Sequence, residues 1–183
     1  MNQVKVQTKC YNPPMKKALL IIAPENYHDA ELKGTRDMIV DAGFEVVLGS
    51  SQVGECKGKL GGSEGAQIAL KDVNVNDYNR IAFIGGAGSR IYFDNPDALR
   101  IAHETVRLNK PLGAICIAPL ILAKARVLEG RRATVWNGDS EQQGELEKYG
   151  AVYTGDDVTV DGMIVTANGP PAAEEFGRTL ASL

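Results

Sequence analysis

Gly113-Ala114-Ile115-Cys116-Ile117-Ala118-Pro119, GAICIAP, joins an apolar run to a helix-forming stretch through a single thiol. Leu112–Ile115 reads as a strand buried on both faces. Ile117–Val127 reads as a strongly apolar helix. A strand that passes straight into a helix belongs to a βαβ unit, and in such sheets chemistry collects at the carboxyl ends of the strands. Cys116 therefore stands where hydrolases carry the serine of a nucleophile elbow. The turn would hold it in an unfavourable backbone region. The helix behind it would turn its positive end toward the sulfur and favour thiolate. A structural cysteine, acting as a small buried hydrophobe, is the bland alternative.

The same alternation runs outward in both directions. Upstream, Ala18–Ala23 (ALLIIA) is a continuous apolar run suited to a central parallel strand, and Asp29–Gly43 carries Leu32, Met38, Ile39 and Ala42 at helical spacing. Strands are expected at Glu45–Leu48 and Arg80–Ile84, with a loop or irregular hairpin over residues 54–66. Pro96–Leu108 is a helix capped by Asp94 or Asn95. Downstream, a strand at Ala133–Trp136 and a helix at Glu141–Tyr149 follow. Two strands, Val158–Val160 and Met163–Ala167, flank the turn Asp161-Gly162, and a helix spans Ala172–Leu183. Strands alternating with helices predict an α/β fold with a mostly parallel sheet, helices on both faces, and one antiparallel hairpin.

The chain has 183 residues, enough for one domain with a full core. Residues 1–15 read as an N-terminal arm and 16–183 as the domain. A formal net charge of −3 offers no electrostatic basis for binding nucleic acid or an anionic membrane. Neither partner is expected. The three cysteines, Cys10, Cys56 and Cys116, have no paired spacing, so neither a disulfide framework nor a metal site is expected. With no apolar leader or spanning run, a reducing cytoplasm is the expected compartment.

Other candidates lie at neighbouring strand ends. Gly85-Gly86 follows the strand Arg80–Ile84, and its amides can approach a ligand closely and form an oxyanion hole with the amide of Ile117. Glu31 lies in the first turn of the first predicted helix; near a thiol, burial would keep it protonated and able to donate to sulfur. A solvated first-turn acid is the ordinary alternative. Of two histidines, His103 sits on a helix away from the elbow and reads as surface or packing. His28 lies closer, in Asn26-Tyr27-His28-Asp29. Trp136, Tyr27, Tyr92 and Arg90 are candidates for the rim of a pocket.

Together MKKALLIIAP, DAEL, AFIGGAGS, GAICIAPLILAKARVLEGRRAT and VDGMIVTANGPPAAEEF resemble the ThiJ/PfpI superfamily over residues 16–183. That superfamily holds PfpI-type intracellular proteases and parkinsonism-associated deglycase relatives. The resemblance implies a flavodoxin-like three-layer sandwich, a homodimer or higher homo-oligomer, and no cofactor. Cys116 matches the elbow cysteine, Glu31 the carboxyl beside it, Gly85 and Gly86 the glycine pair, and Ile117 the second amide. Cys116 would oxidise readily to sulfenic and sulfinic forms, with Glu31 stabilising the latter.

The departures bear on function. PfpI-type members carry histidine after the cysteine, where this chain has Ile117. Deglycase types carry a histidine on the strand after the elbow helix, where Trp136 stands. The PfpI-type glutamate after the glycine pair is replaced around Ser89-Arg90. The expectation is therefore a cysteine-dependent enzyme on small carbonyl or acyl substrates, of glyoxalase, deglycase or amide-hydrolase type, without the protease dyad. Cys116 is the nucleophile, Gly86 and Ile117 hold the oxyanion, Glu31 shuttles a proton, and His28 substitutes for the missing base. The alternative is a non-catalytic oxidative-stress sensor or protective protein with Cys116 as its redox switch. A holdase is a third, weaker reading.

Overall fold

The computed structural model describes residues 15–183, so the expected arm falls almost wholly outside the described residues. The first strand, β1 (Lys17–Ile21), is followed by the short β2 (Glu25–Tyr27), helix α1 (Asp29–Asp41) and β3 (Glu45–Ser50). A hairpin, β4 (Gly54–Gly58) and β5 (Ser63–Ala66), precedes β6 (Ile68–Ala69) and β7 (Arg80–Phe83). Then come α2 (Pro96–Arg107), β8 (Leu112–Ile115), α3 (Pro119–Lys124), β9 (Arg132–Ala133) and α4 (Gln142–Lys148). The chain closes with β10 (Val152–Tyr153), β11 (Val158–Asp161), β12 (Ile164–Ala167) and α5 (Ala173–Ser182).

The main sheet has seven strands in the order β11-β12-β8-β7-β1-β3-β6. All neighbours pair in parallel except β11 with β12. The continuous apolar runs arise because both faces are covered. In β1, Leu19 and Ile21 face one core, and Ala18 and Leu20 the other. Helices α2, α3 and α4 cover the first core, while α1 and α5 pack together over the second. These three layers are the expected α/β sandwich.

Strand order positions the site. From β1 the chain moves to β3 on one side, then returns to place β7, β8 and β12 in succession on the other. That reversal leaves a crevice at the carboxyl ends of β1 and β7, the usual place for a ligand in an open α/β sheet. The segments that follow β1, β7 and β8 contain Glu31, Gly85-Gly86 and Cys116.

Two local expectations need correction, and one of two alternatives is settled. The stretch Ile117–Val127 is not one helix: residues 116–118 form a turn, and α3 spans only Pro119–Lys124. The left-handed backbone of Cys116, φ +65°, breaks the path ahead of the helix, and Pro119, which lacks an amide hydrogen, suits the first helical position. Ala133–Trp136 is not a main-sheet strand. Only Arg132 and Ala133 pair, with β10, in a separate two-stranded ribbon. Of the loop and hairpin expected for residues 54–66 the structure has the hairpin, and β2 adds beside β4 to make a small three-stranded sheet. Its Gly, Lys and Ser composition hides the strands from any reading based on apolar periodicity.

Capping is legible where side chains do it. The Asn95 side chain accepts the amides of Asp97 and Ala98, both at 3.0 Å, ahead of Pro96 at the helix start. Asp94 instead pairs with Lys124 at 2.9 Å. No helix among the described residues is long and apolar enough to cross a membrane.

Candidate functional site

Cys116 directly follows β8 with φ at +65°, one of five non-glycine residues in the left-handed region among the described residues. A side chain there costs on the order of 1–2 kcal/mol. The surrounding backbone holds the turn. Cys116 donates its amide to Ala167 O (2.9 Å), its carbonyl accepts from the Trp136 amide (2.9 Å), and Ala118 N closes the turn onto Ile115 O (3.1 Å). The thiol is only 8 % exposed, and it borders a cleft.

The glycine pair after β7 packs directly against this turn. A Cβ on Gly85 would lie 2.5 Å from the Cys116 Cβ and 2.6 Å from Glu31 Oε2. No other residue fits between them. Gly86 has φ at +102°, and a Cβ there would strike Asn26 O at 2.4 Å and His28 N at 2.6 Å. The Gly85 carbonyl accepts the His28 amide at 3.0 Å, which clamps the β2–α1 corner onto the pair.

Glu31, in the first turn of α1, is fully buried rather than solvated. Its Oε2 accepts the Gly85 amide at 3.0 Å, while Oε1 is buried with no hydrogen-bond partner among the described residues. The Gly85 N–H is thus committed to Glu31, and the amides that reach the Cys116 sulfur are those of Gly86 and Ile117. Burial pushes the Glu31 carboxyl up to about 7, against the lowering effects of the Cys116 side chain, the Gly85 amide and Lys59. Burial, then the charge of Glu31, pushes the Cys116 thiol up to about 12, opposed by the two amides.

This corrects the expectation that a helix dipole makes the resting thiol a thiolate. The short α3 begins three residues beyond Cys116, and the sulfur meets a buried acid first. The pair behaves as two acids crowded into one dry site. Its resting form holds the proton on sulfur when Glu31 is ionised.

The cleft has a volume of about 330 Å³ and is lined by His28, Lys59, Arg90, Cys116, Trp136 and Asp139 among others. His28 caps α1 without a side-chain bond, and its Nδ1 is buried without a partner among the described residues. Burial first, and then Lys59, hold its pKa below the ordinary value, so the ring is neutral near neutrality. Trp136 lines the wall and is about one-third exposed (36 %). Arg90 also lines the cleft.

Tyr27 and Tyr92 do not reach it. Tyr27 is packed in the core beneath β2. Tyr92 donates to Ile22 O (2.8 Å) and receives the Ser51 amide (3.0 Å) deep under the sheet edge. His103 is exposed on α2, away from this cleft, as expected.

Two contributors were invisible by pattern. Lys59 projects from the β4–β5 turn, inside the stretch that reads in sequence as a loop or irregular hairpin. The turn is pinned by Asp29, whose carboxylate accepts the amides of Leu60 and Gly62, both at 2.7 Å, and by Lys59 N on Tyr27 O at 2.9 Å. The signal available was the glycine spacing. A Cβ on Gly58 or Gly62 would lie 2.0 Å or 2.3 Å from Asp29 Oδ1. Asp139 arrives on the segment between β9 and α4, where nothing in the sequence marks it. No cluster of three or more His, Cys, Asp or Glu side chains able to hold a metal occurs among the described residues.

Comparison with known proteins agrees with this architecture. The model of the DJ-1/PfpI family matches residues 16–183. An uncharacterised protein of Methanocaldococcus jannaschii is 38% identical over 162 residues, covering 88% of this chain and 78% of that one. The deglycase PfpI of Pyrococcus furiosus is 28% identical over 152 residues, covering 83% of this chain and 90% of its own. Among solved structures, a ThiJ/PfpI domain protein of Brachyspira murdochii superposes with a TM-score of 0.86 at 25% identity, covering 91% of this chain and 94% of that one. The chain belongs to the DJ-1/PfpI family.

Proposed function

We propose that the protein is a cysteine-dependent enzyme acting on small carbonyl or acyl compounds, of the glyoxalase or deglycase type. The observation that carries this reading is one constellation. Cys116 is held at positive φ on the edge of a cleft, with the amides of Gly86 and Ile117 against its sulfur and the buried carboxyl of Glu31 behind it. The deglycase name of several relatives points the same way.

The chemistry follows from the resting proton inventory. As Cys116 adds to an aldehyde carbon of an α-oxoaldehyde, the S–H proton passes to the Glu31 carboxylate and a C–S bond forms. The carbonyl π pair moves to oxygen, which the amides of Gly86 and Ile117 stabilise until it takes a proton. Neutral His28 then removes the proton from the former aldehyde carbon. Return of that proton to the adjacent carbon leaves a thioester of an α-hydroxy acid. Water cleaves the thioester, releasing the acid and restoring the thiol. A Glu31 pKa near 7 suits it to both accept and return a proton. The absence of a histidine after Cys116 argues against the protease dyad. A homo-oligomer is part of this reading, with Leu60 and Ile91 as exposed apolar residues beside cleft-lining Lys59 and Arg90.

Wild-type turnover of methylglyoxal to lactate, lost in Cys116→Ser and cut at least tenfold in His28→Ala, is the expected result. Absence of turnover on α-oxoaldehydes, glycated thiols and amides alike would remove the proposal. The second reading, a redox switch, is favoured by the buried Glu31 carboxyl, which holds its proton up to about 7 and can donate it to an oxidised Cys116 sulfur. Its mark is sulfinic acid confined to Cys116 under limiting peroxide.

A further inference from the structure

The cleft carries charge that carbonyl attack does not use. Lys59 and Arg90 both line it, and both are exposed there. Neither has an ion-pair partner among the described residues. Among the described residues one acid lines the wall, Asp139, whose carboxylate accepts the Glu141 amide (3.1 Å) and the Gln142 side chain (3.0 Å) and feels the charge of Arg90 without pairing with it. Glu31 lies below the wall, fully buried. His28 is held neutral. In a chain of net charge −3, the lining of the thiol cleft thus sets two cations against one acid.

Lys59 is not a loosely placed surface lysine. Its backbone is pinned on both sides, to Tyr27 O at 2.9 Å and through the Leu60 and Gly62 amides to Asp29. The turn cannot carry Lys59 away from the cleft without breaking those bonds, while its side chain keeps its own rotamers to meet a ligand. Arg90 stands on a separate element, the two-turn 3₁₀ helix Ala87–Tyr92 that begins at Gly86. Its guanidinium lies over the Phe93 ring, 5.8 Å from the centroid. Two cations from two independently anchored elements, around a space of about 330 Å³, suit a small ligand bearing one anionic group.

We infer that the Cys116 cleft selects substrates carrying a carboxylate close to the reactive carbonyl, with Lys59 and Arg90 as the recognising cations. This inference rests on the proposed reading of Cys116 as nucleophile, and it names the substrate class of that site. Neutral α-oxoaldehydes would bind less well than α-oxoaldehydes with a terminal carboxylate.

The first test needs no turnover. Iodoacetate and iodoacetamide have nearly the same shape and differ in charge. In each, the Cys116 thiolate displaces iodide and forms one S–C bond. Rates at Cys116 are read by peptide mass spectrometry, with the ratio of the two reagents normalised to that of N-acetylcysteine. The normalised ratio should favour iodoacetate by about three- to tenfold at low salt, fall by about threefold in Lys59→Gln and in Arg90→Gln, and shrink as salt rises. Lys59→Arg should keep it. A ratio equal to that of N-acetylcysteine, unmoved by either substitution, overturns the inference.

The second test compares kcat/KM for a carboxylate-bearing α-oxoaldehyde and its methyl ester. A preference for the acid, lost in Lys59→Gln, supports the substrate class. Equal turnover of both overturns it while leaving the enzyme reading intact. No turnover of either, with the alkylation ratio still high, overturns the enzyme reading and leaves the anion selectivity standing.

Discussion

Glu31 and Cys116 set the chemistry because both lose solvent at one point. The Glu31 carboxyl keeps its proton up to about 7 in the folded protein, against a value of 4.5 when exposed. Between those values the folded state binds more protons than the unfolded state, so stability falls as pH rises through that window and levels off above it. Glu31→Gln removes the ionising group and keeps an acceptor for the Gly85 amide. It should flatten the stability profile between about pH 5 and pH 7, and stabilise the protein above pH 7 by on the order of 2–3 kcal/mol. Urea midpoints across that range measure this, and a variant whose profile still falls would assign the slope to another group. Cys116 permits a second test. At φ +65°, Cys116→Gly should be more stable than Cys116→Ala by about 1 kcal/mol, despite the greater freedom of glycine when unfolded. Equal stabilities would mean the turn carries no strain.

At the level of elements, the hairpin β4–β5 is a delivery arm for Lys59. Asp29, the first residue of α1, grips the hairpin turn through its carboxylate. Asp29→Ala should cost about 1–3 kcal/mol, since two amides lose a charged acceptor. It should also raise hydrogen exchange at Leu60 and Gly62 selectively. Unchanged exchange there would show that the strand pairing alone holds the turn. This arm also marks where sequence reading stops. The strands β1, β3, β7, β8 and β12 are legible because burial on both faces writes continuous apolar runs. The pairing of β2 with β4 is not, because three exposed-to-buried residues, Glu25–Tyr27, carry no period and take their form from a neighbour distant in the chain. Glu31, Gly85, Gly86 and Cys116 could be placed together because each follows a legible strand. Lys59 and Asp139 could not, since each enters the cleft from a connection whose path depends on tertiary contacts. The apolar content of Ile117–Val127 overstates the extent of α3 because it reports burial, which a turn shares with a helix.

At the scale of the whole molecule, the position of Glu31 depends on a helix pair rather than on its own turn. Helices α1 and α5 meet through glycines. A Cβ on Gly34 would lie 2.9 Å from the Ala173 Cβ, and one on Gly177 would lie 2.7 Å from Thr35 O and 3.0 Å from the Met38 Cβ. Arg80 ties the end of α5 to the sheet, donating to Leu180 O at 2.8 Å and stacking over Phe44. The distance between α5 and α1 is therefore set by backbone contact, and α1 carries Glu31 beneath the thiol. Gly177→Ala adds a methyl group where no space exists. Alanine is the better helix former by about 1 kcal/mol, yet overpacking against backbone should outweigh that and leave a net loss of about 1–2 kcal/mol. The wedge pushes α1 outward, and with it the carboxyl that raises the Cys116 pKa. Alkylation of Cys116 should then reach half its maximal rate at a lower pH than in the wild type, because the sulfur gains solvent and loses a neighbouring negative charge. A variant that loses stability but keeps the wild-type alkylation profile would show that the helix pair yields elsewhere, and that the glycine pair alone holds Glu31 against the sulfur.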